Sequence, residues 1–239
     1  MNERAPLRSA WDTSKEDPAK WAQKRRLADA MRLVIERLIL SDAPEAELRR
    51  AADGLESYAE ALTAHPRLRF GHGYAESANA GDVAAFFDRS PLIGLANPLA
   101  PPISIAKTGE RSAEARAVFG SAYEGPPDHV HGGFVAAAFD EVLGFVQSLS
   151  GRPGMTGTLI VRYRKPTPLH TELRFEAEYL RHEGRKLFTE SRVFAGDVLC
   201  AEAEGIFVSI DRERFQELED RRAAREAARR QGAPDSEGP

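Results

Sequence analysis

The sequence predicts an α+β fold in which an antiparallel sheet wraps one central helix, with a helical extension at the N-terminus. Three observations carry that prediction. The stretch at 124–149, EGPPDHVHGGFVAAAFDEVLGFVQSL, passes from a Pro-Pro turn through His-Gly-Gly into a run that is apolar on nearly every face. Strand patterns lie on both sides of it, two before and four after, joined by short turns. Two amphipathic helix patterns precede them all. A helix apolar all round has to be buried. Consecutive strands with short links form a largely antiparallel sheet, and such a sheet buries the helix only by wrapping it.

The 239 residues suffice for one sizeable domain with an extension, or for two small domains. Hydrophobic content of 42% and charged content of 29% are those of a globular protein. A net charge of −4 argues against a nucleic-acid binder. With one cysteine, Cys200, no internal disulfide can form, and Cys200 itself reads as an inert packed residue between Leu199 and Ala201. No apolar run reaches the length of a membrane span, and the mixed-charge start MNERAPLRSAWDTSKED is not a signal peptide. The expectation is a soluble, cytoplasmic protein with no membrane span. Four parts are expected: a helical hairpin extension at 1–64, an irregular covering segment at 65–102, the main domain at 103–211, and a charged helix and tail at 212–239.

Residues 1–17 read as unstructured. Trp21, Ala28, Met31, Ile35 and Leu38 recur at helical spacing and predict a helix from Pro18 to Leu40, capped by Asp17 with proline in its first turn. A second helix restarts at Asp42-Ala-Pro-Glu and carries Leu48, Ala52, Leu55, Ala59 and Leu62 on one face. The short link predicts an antiparallel hairpin that serves packing and oligomerisation. His65 to Pro102 is rich in proline and glycine, with one or two helical turns at 82–88 (DVAAFFD). Its aromatic and apolar residues, such as Phe70, Phe86, Leu92 and Ile93, favour a packed cover.

From Ile103 the period changes. Residues 103–107 and 115–123 flank Gly109-Glu-Arg-Ser as a hairpin, and after the helix come strands at 157–163, 172–180, 186–194 and 198–210. Leu173, Phe175, Ala177 and Tyr179 alternate with Glu172, Arg174, Glu176 and Glu178, which marks a sheet with one packed face. The charged run 212–230 reads as an exposed helix with opposite charges four apart, and 233–239 as a disordered tail.

Several chemistries find no support: GxSxG, a Walker loop, GxGxxG, CxxC and HExxH are all missing. His129 and His131 lack a third ligand at sensible spacing, so no metal is expected. Asp140 and the helix start remain. If Gly132 and Gly133 open the helix, their N–H groups lack intrahelical partners and face outward at the positive end of its dipole. That is the arrangement an oxyanion hole needs. Asp140 lies seven residues past Gly133, roughly 10 Å at about 1.5 Å per residue. One helix cannot unite the two, but two antiparallel helices in a dimer can. A carboxylate that merely satisfies polar groups at an interface is the equal alternative.

The segment HGGFVAAAFDEVLG resembles the His-Gly-Gly…Asp helix of hotdog-fold acyl-CoA thioesterases of the PaaI-like branch, with the Asp nine positions after the His. The resemblance continues through TGTLIVRYRKPTPLHTELRFEAEYLRHEGRK, is strongest to the thioesterase superfamily member four type, and covers about 103 to 210. It implies a hotdog-fold homodimer, or a dimer of dimers, whose two active sites lie at the interface and hydrolyse acyl-CoA in lipid metabolism without a metal or redox cofactor. It further implies Asp140 as general base or nucleophile, Gly132 N–H polarising the thioester carbonyl, His131 shaping the helix start, and Thr156 placing the water. Arg164, Lys165, Arg185 and Lys186 would meet the CoA phosphates, or be solvated surface charges. One departure stands out: some relatives carry an Asn six residues before the His, where this chain has Gly125. A non-catalytic acyl-CoA-binding or scaffold protein of the same fold is the alternative function. A dehydratase acting on acyl-carrier protein is a third reading, for which the helix would be expected to carry a different catalytic pairing. Phe134, Phe139 and the loop before Ile103 are the candidates for closing an acyl tunnel, with the N-terminal half as its cover.

Overall fold

A computed structural model describes residues 18–65, 90–152 and 154–209, together with residues 221 and 224. Two helices, α1 (Pro18–Ile39) and α2 (Glu45–Thr63), come first. Strands β1 (Ser104–Lys107) and β2 (Ser112–Val118) follow, then a 3-10 turn (Ser121–Tyr123) and helix α3 (Gly132–Ser148). Next come β3 (Gly154–Tyr163), β4 (Glu172–Glu183), β5 (Lys186–Ala195) and β6 (Val198–Ser209).

All six strands form one antiparallel sheet in the order β1-β2-β4-β5-β6-β3. The sheet curls round α3, which packs against β2 to β6. This is the hotdog arrangement. Val135, Ala138, Phe139, Val142, Leu143 and Val146 form the buried side of α3. On β4, Leu173, Phe175, Ala177 and Tyr179 point inward, as their alternation predicts. Phe139 meets Phe175 edge to face at 5.4 Å between ring centres. Closing the sheet on the helix requires a glycine at 205. A Cβ there would lie 2.7 Å from Thr189 Oγ1 and 3.2 Å from Leu143 Cδ1. The outer face of the sheet carries ion pairs instead, Arg116 with Glu114 and Glu172 among them.

Among the described residues, β3 does not lie beside β4 but at the far edge, paired only with β6. The link at 164–171 crosses under the start of α3, where Val130 N–H donates to Thr167 O (2.8 Å) and Leu169 N–H to Asp128 O (3.0 Å). Strand periodicity reports facing, not order, so this crossover had no signal in the sequence.

The extension is attached by α1. Arg32 donates to the carbonyls of Asn97 (2.7 Å) and Leu95 (3.0 Å), tying the covering segment to the helix. Glu36 accepts from the N–H groups of Ser121 (3.0 Å) and Ala122 (3.3 Å) at the head of the 3-10 turn. Burial pushes the Glu36 carboxyl up, but those hydrogen bonds outweigh it and hold the group below its ordinary value. Residue 120 must be glycine for this contact, because a Cβ there would collide with the Glu36 carboxylate. The expected packing of the second helix on the first is not found. No residue of α2 is buried, and Leu48, Leu55 and Leu62 stay exposed along its apolar face. From 90 onward the segment is packed: Ile93, Ala96 and Ala100 are buried. Residues 66–89, including the expected turns at 82–88, lie outside the described residues, as do 1–17, the tail, and all of the charged run 212–230 except 221 and 224. Cys200 is buried, as its packing role requires. Among the described residues, no helix is long and apolar enough to cross a membrane.

Candidate active site

Helix α3 begins at Gly132, and His131 is its N-cap. The His131 ring accepts from Gly133 N–H at Nδ1 (3.0 Å), which satisfies one of the orphan donors of the first turn. His131 N–H in turn donates to Tyr123 O (2.8 Å), fixing the cap against the 3-10 turn. Gly132 N–H is left without a hydrogen-bond partner among the described residues. Its carbonyl accepts from Tyr163 Oη at 2.8 Å, so the last residue of β3 holds the helix start. The free donor is Gly132, and the Gly133 donor is used internally.

Gly125 has a packing reason. A Cβ at this position would lie 2.7 Å from His131 Cα, so a larger residue would displace the cap. The site forgoes an amide there to bring the loop against the His131 backbone. His129 is engaged elsewhere, with Nδ1 2.7 Å from Pro127 O. Among the described residues, no three His, Cys, Asp or Glu side chains gather as metal ligands do.

Asp140 is half-buried, two turns farther along α3. Thr156 Oγ1 donates to Asp140 Oδ1 at 2.7 Å. Thr156 and Tyr163 are an odd number of residues apart and would face opposite sides of a regular strand. The register of β3 against β6 slips between Thr156 and Thr158. That bulge restores the facing, so both side chains turn toward α3. β3 therefore carries one contact at each end: Thr156 on the Asp140 carboxylate and Tyr163 on the Gly132 carbonyl. Gly132 and Asp140 themselves stay eight residues apart, roughly 12 Å along the helix at about 1.5 Å per residue. One chain does not unite them.

Glu141, the other acidic interruption of the apolar run, was not among the sequence candidates. Burial, then the charge of Asp140 beside it, pushes its carboxyl up to about 7, while a hydrogen bond with the Ser90 side chain opposes the shift. Ser90 is buried and its Oγ also accepts from Leu92 and Ile93 N–H (3.2 and 3.3 Å). Glu141 thus holds the head of the covering segment next to Asp140. Tyr163 was also missed. Its only signal was a tyrosine ending the GTLIVRY strand.

The four candidate CoA cations fall into two groups. Arg164 and Lys165 follow the end of β3, and their N–H groups both donate to Cys200 O (2.7 and 2.9 Å). Arg164 pairs with Glu202, its Nε 3.0 Å from Oε1. Arg185 and Lys186 stand at the β4–β5 turn, where the Arg185 guanidinium donates to Ser209 O (2.9 and 3.1 Å). Ser209 is opposite Gly154, the first residue of β3. The two groups are thus a β3 length apart, roughly 30 Å at about 3.3 Å per residue.

A family model described as the thioesterase superfamily matches residues 128–202, from the loop before α3 into β6. Acyl-coenzyme A thioesterase THEM4 of Bos taurus is 34% identical over 93 residues, which is 38% of either chain. Its counterpart in Mus musculus is 33% identical over 93 residues, 38% of this chain and 40% of that one. The chain therefore spans about two fifths of the length of these curated relatives. The crystal structure of a thioesterase superfamily protein reaches farther, with a TM-score of 0.70 and 32% identity over 78% of this chain and 90% of that one. With a match of that extent, this chain belongs to the thioesterase superfamily.

Proposed function

We propose that this chain hydrolyses acyl-CoA thioesters to a free carboxylic acid and CoA, at a site that two copies complete. The observation that carries this reading is the division of one catalytic set along β3. The Gly132 N–H, without a partner among the described residues, stands at one end and the Thr156–Asp140 pair at the other. β3 is an edge strand, exposed along most of its length, with Met155, Ile160 and Tyr163 open. A long exposed edge is a template for a second strand. Antiparallel pairing of β3 with its own copy sets the end of one strand against the start of the other. Gly132 then meets Asp140 of the partner subunit, and the Arg164 pair of cations meets the Arg185 pair. Both separations within one chain become junctions between two.

Chemistry follows from the groups present. Thr156 occupies Asp140 Oδ1, which leaves Oδ2 to take a proton from water. The water oxygen attacks the thioester carbonyl carbon, and the developing oxyanion is held by Gly132 N–H at the positive end of α3. Collapse breaks the C–S bond, and the CoA thiolate leaves to take up a proton. Attack by Asp140 itself, through a mixed anhydride, uses the same geometry.

Thiol release from a panel of acyl-CoA substrates tests the reading. Asp140→Asn should lower turnover by about 10²- to 10⁴-fold, the usual weight of a general base, with the assembly intact. Binding without hydrolysis by the unaltered protein would instead make this a non-catalytic acyl-CoA-binding protein.

A further inference from the structure

A cavity of about 790 Å³ opens between α1, the covering segment and the outer face of α3. Its volume is that of a ligand site. Phe134 and Ala137 of α3 contribute to its wall, the first only two residues past Gly132. Tyr123 joins them, edge to face with Phe134 at 4.9 Å, while its hydroxyl donates to Leu99 O (2.9 Å). Opposite stand Leu33 of α1 and Leu92, Pro98, Leu99 and Pro101 of the covering segment. Phe139, by contrast, is fully buried against Phe175 and does not reach this space.

Position and polarity together name the occupant. A carbonyl held by Gly132 N–H must direct its substituent within about one helical turn, 5.4 Å, of that donor, and Phe134, two residues along the same turn, is part of the apolar wall. The charged groups round the cavity are already engaged. Arg32 is bound to Asp29 and to two carbonyls, and Glu36 to two backbone N–H groups. His170 Nε2 lies 3.0 Å from Ser121 Oγ. A charged occupant would have to break these contacts, whereas an alkyl chain buries its surface with none of them lost.

We infer that this cavity receives the acyl group of the thioester and selects an uncharged chain well beyond acetyl in length. The inference rests on the hydrolytic site proposed above, and assigns its specificity to α1 and residues 91–102, outside the 128–202 that match the family model. Glu36 and Arg32 then have a role: they fix the wall against which the chain packs.

Two measurements test this with separable outcomes. Calorimetry compares CoA with S-dodecyl-CoA, a thioether that cannot be hydrolysed. The alkyl chain should tighten binding at least tenfold, and Leu33→Glu, a change on exposed α1, should remove that gain. Equal affinity for the two ligands, or a gain unaffected by Leu33→Glu, overturns the inference. Thiol release over straight-chain substrates then adds a profile. For the unaltered protein, kcat/KM should rise by up to about fourfold per methylene until the space is filled. Ala137→Leu should move the optimum to shorter chains, and an optimum unmoved in Ala137→Leu also overturns it. Tight alkyl binding with no hydrolysis of any thioester would leave the cavity assignment standing and sink the hydrolytic reading alone.

Discussion

Thr156 Oγ1 donates to Asp140 Oδ1 at 2.7 Å, across a bulge that turns the threonine toward the helix. A carboxylate with one oxygen fixed in this way presents the other in a defined direction. Thr156→Val keeps the shape and removes the donor. It should reduce kcat about tenfold with little change in KM, a loss in line with one charge-assisted hydrogen bond of roughly 1.5 kcal/mol. Thr156→Ser should restore most of it. Equal losses in both variants would mean that packing, not the hydroxyl, is what matters.

Glu141 makes stability depend on pH with a sign that can be worked out. Its carboxyl rises from 4.5 to about 7 on folding, through burial first and the Asp140 charge second. Between those values the native state holds a proton that the unfolded chain has released. Stability is therefore full below 4.5, declines as pH rises to about 7, and is level above it. Glu141→Gln keeps a donor and acceptor beside Ser90 without the titration. It should flatten that slope and raise stability at pH 8, by at most about 3 kcal/mol. Denaturant unfolding at pH 5 and pH 8 reads both effects. An unchanged slope in the variant would remove Glu141 from the account.

The exposed edge of β3 gives a third expectation. Met155 and Ile160 are more than a third exposed there, where a pairing strand would cover them. Met155→Lys with Ile160→Lys places two charges on the edge, which natural sheets use to block strand addition. Light scattering should show a dimer become a monomer, with thiol release falling more than tenfold at equal protein concentration. A monomeric unaltered protein, or a monomeric variant with full activity, would contradict pairing through β3.

Much of this architecture could be read in advance, for local reasons. The apolar run after Gly133 had to be buried, and the alternation at 172–179 fixed which residues of β4 face it. What was hidden is non-local. The crossover that sends β3 to the edge involves residues far apart in sequence, and only the assembled sheet defines it. Tyr163 reaches Gly132 across 31 positions, so no spacing rule could pair them. Glu141 interrupts the apolar run beside Asp140, but its contact with Ser90 of the covering segment lies about fifty positions away and no spacing rule could pair them. The helical pattern of α2 was legible as a helix, but its apolar face gave no sign that it would stay uncovered by the described residues.

The central claim is that Gly132 of one subunit works with Asp140 of another, and mixing two inactive variants tests it most directly. Asp140→Asn removes the base. Gly132→Pro removes the donor: proline suits the first helical position, His131 at φ −58, ψ 130 already has the conformation it needs before proline, and the added Cβ comes 3.3 Å from Tyr163 Oη, at the far end of that side chain. Each variant by itself should be nearly inactive. Unfolded together and refolded at equal amounts, half the dimers are mixed, and each carries one site with both groups intact. The account predicts recovery to about one quarter of unaltered activity, as random assembly of a two-fold dimer requires. No recovery, with mixed dimers present by mass spectrometry, would contradict it.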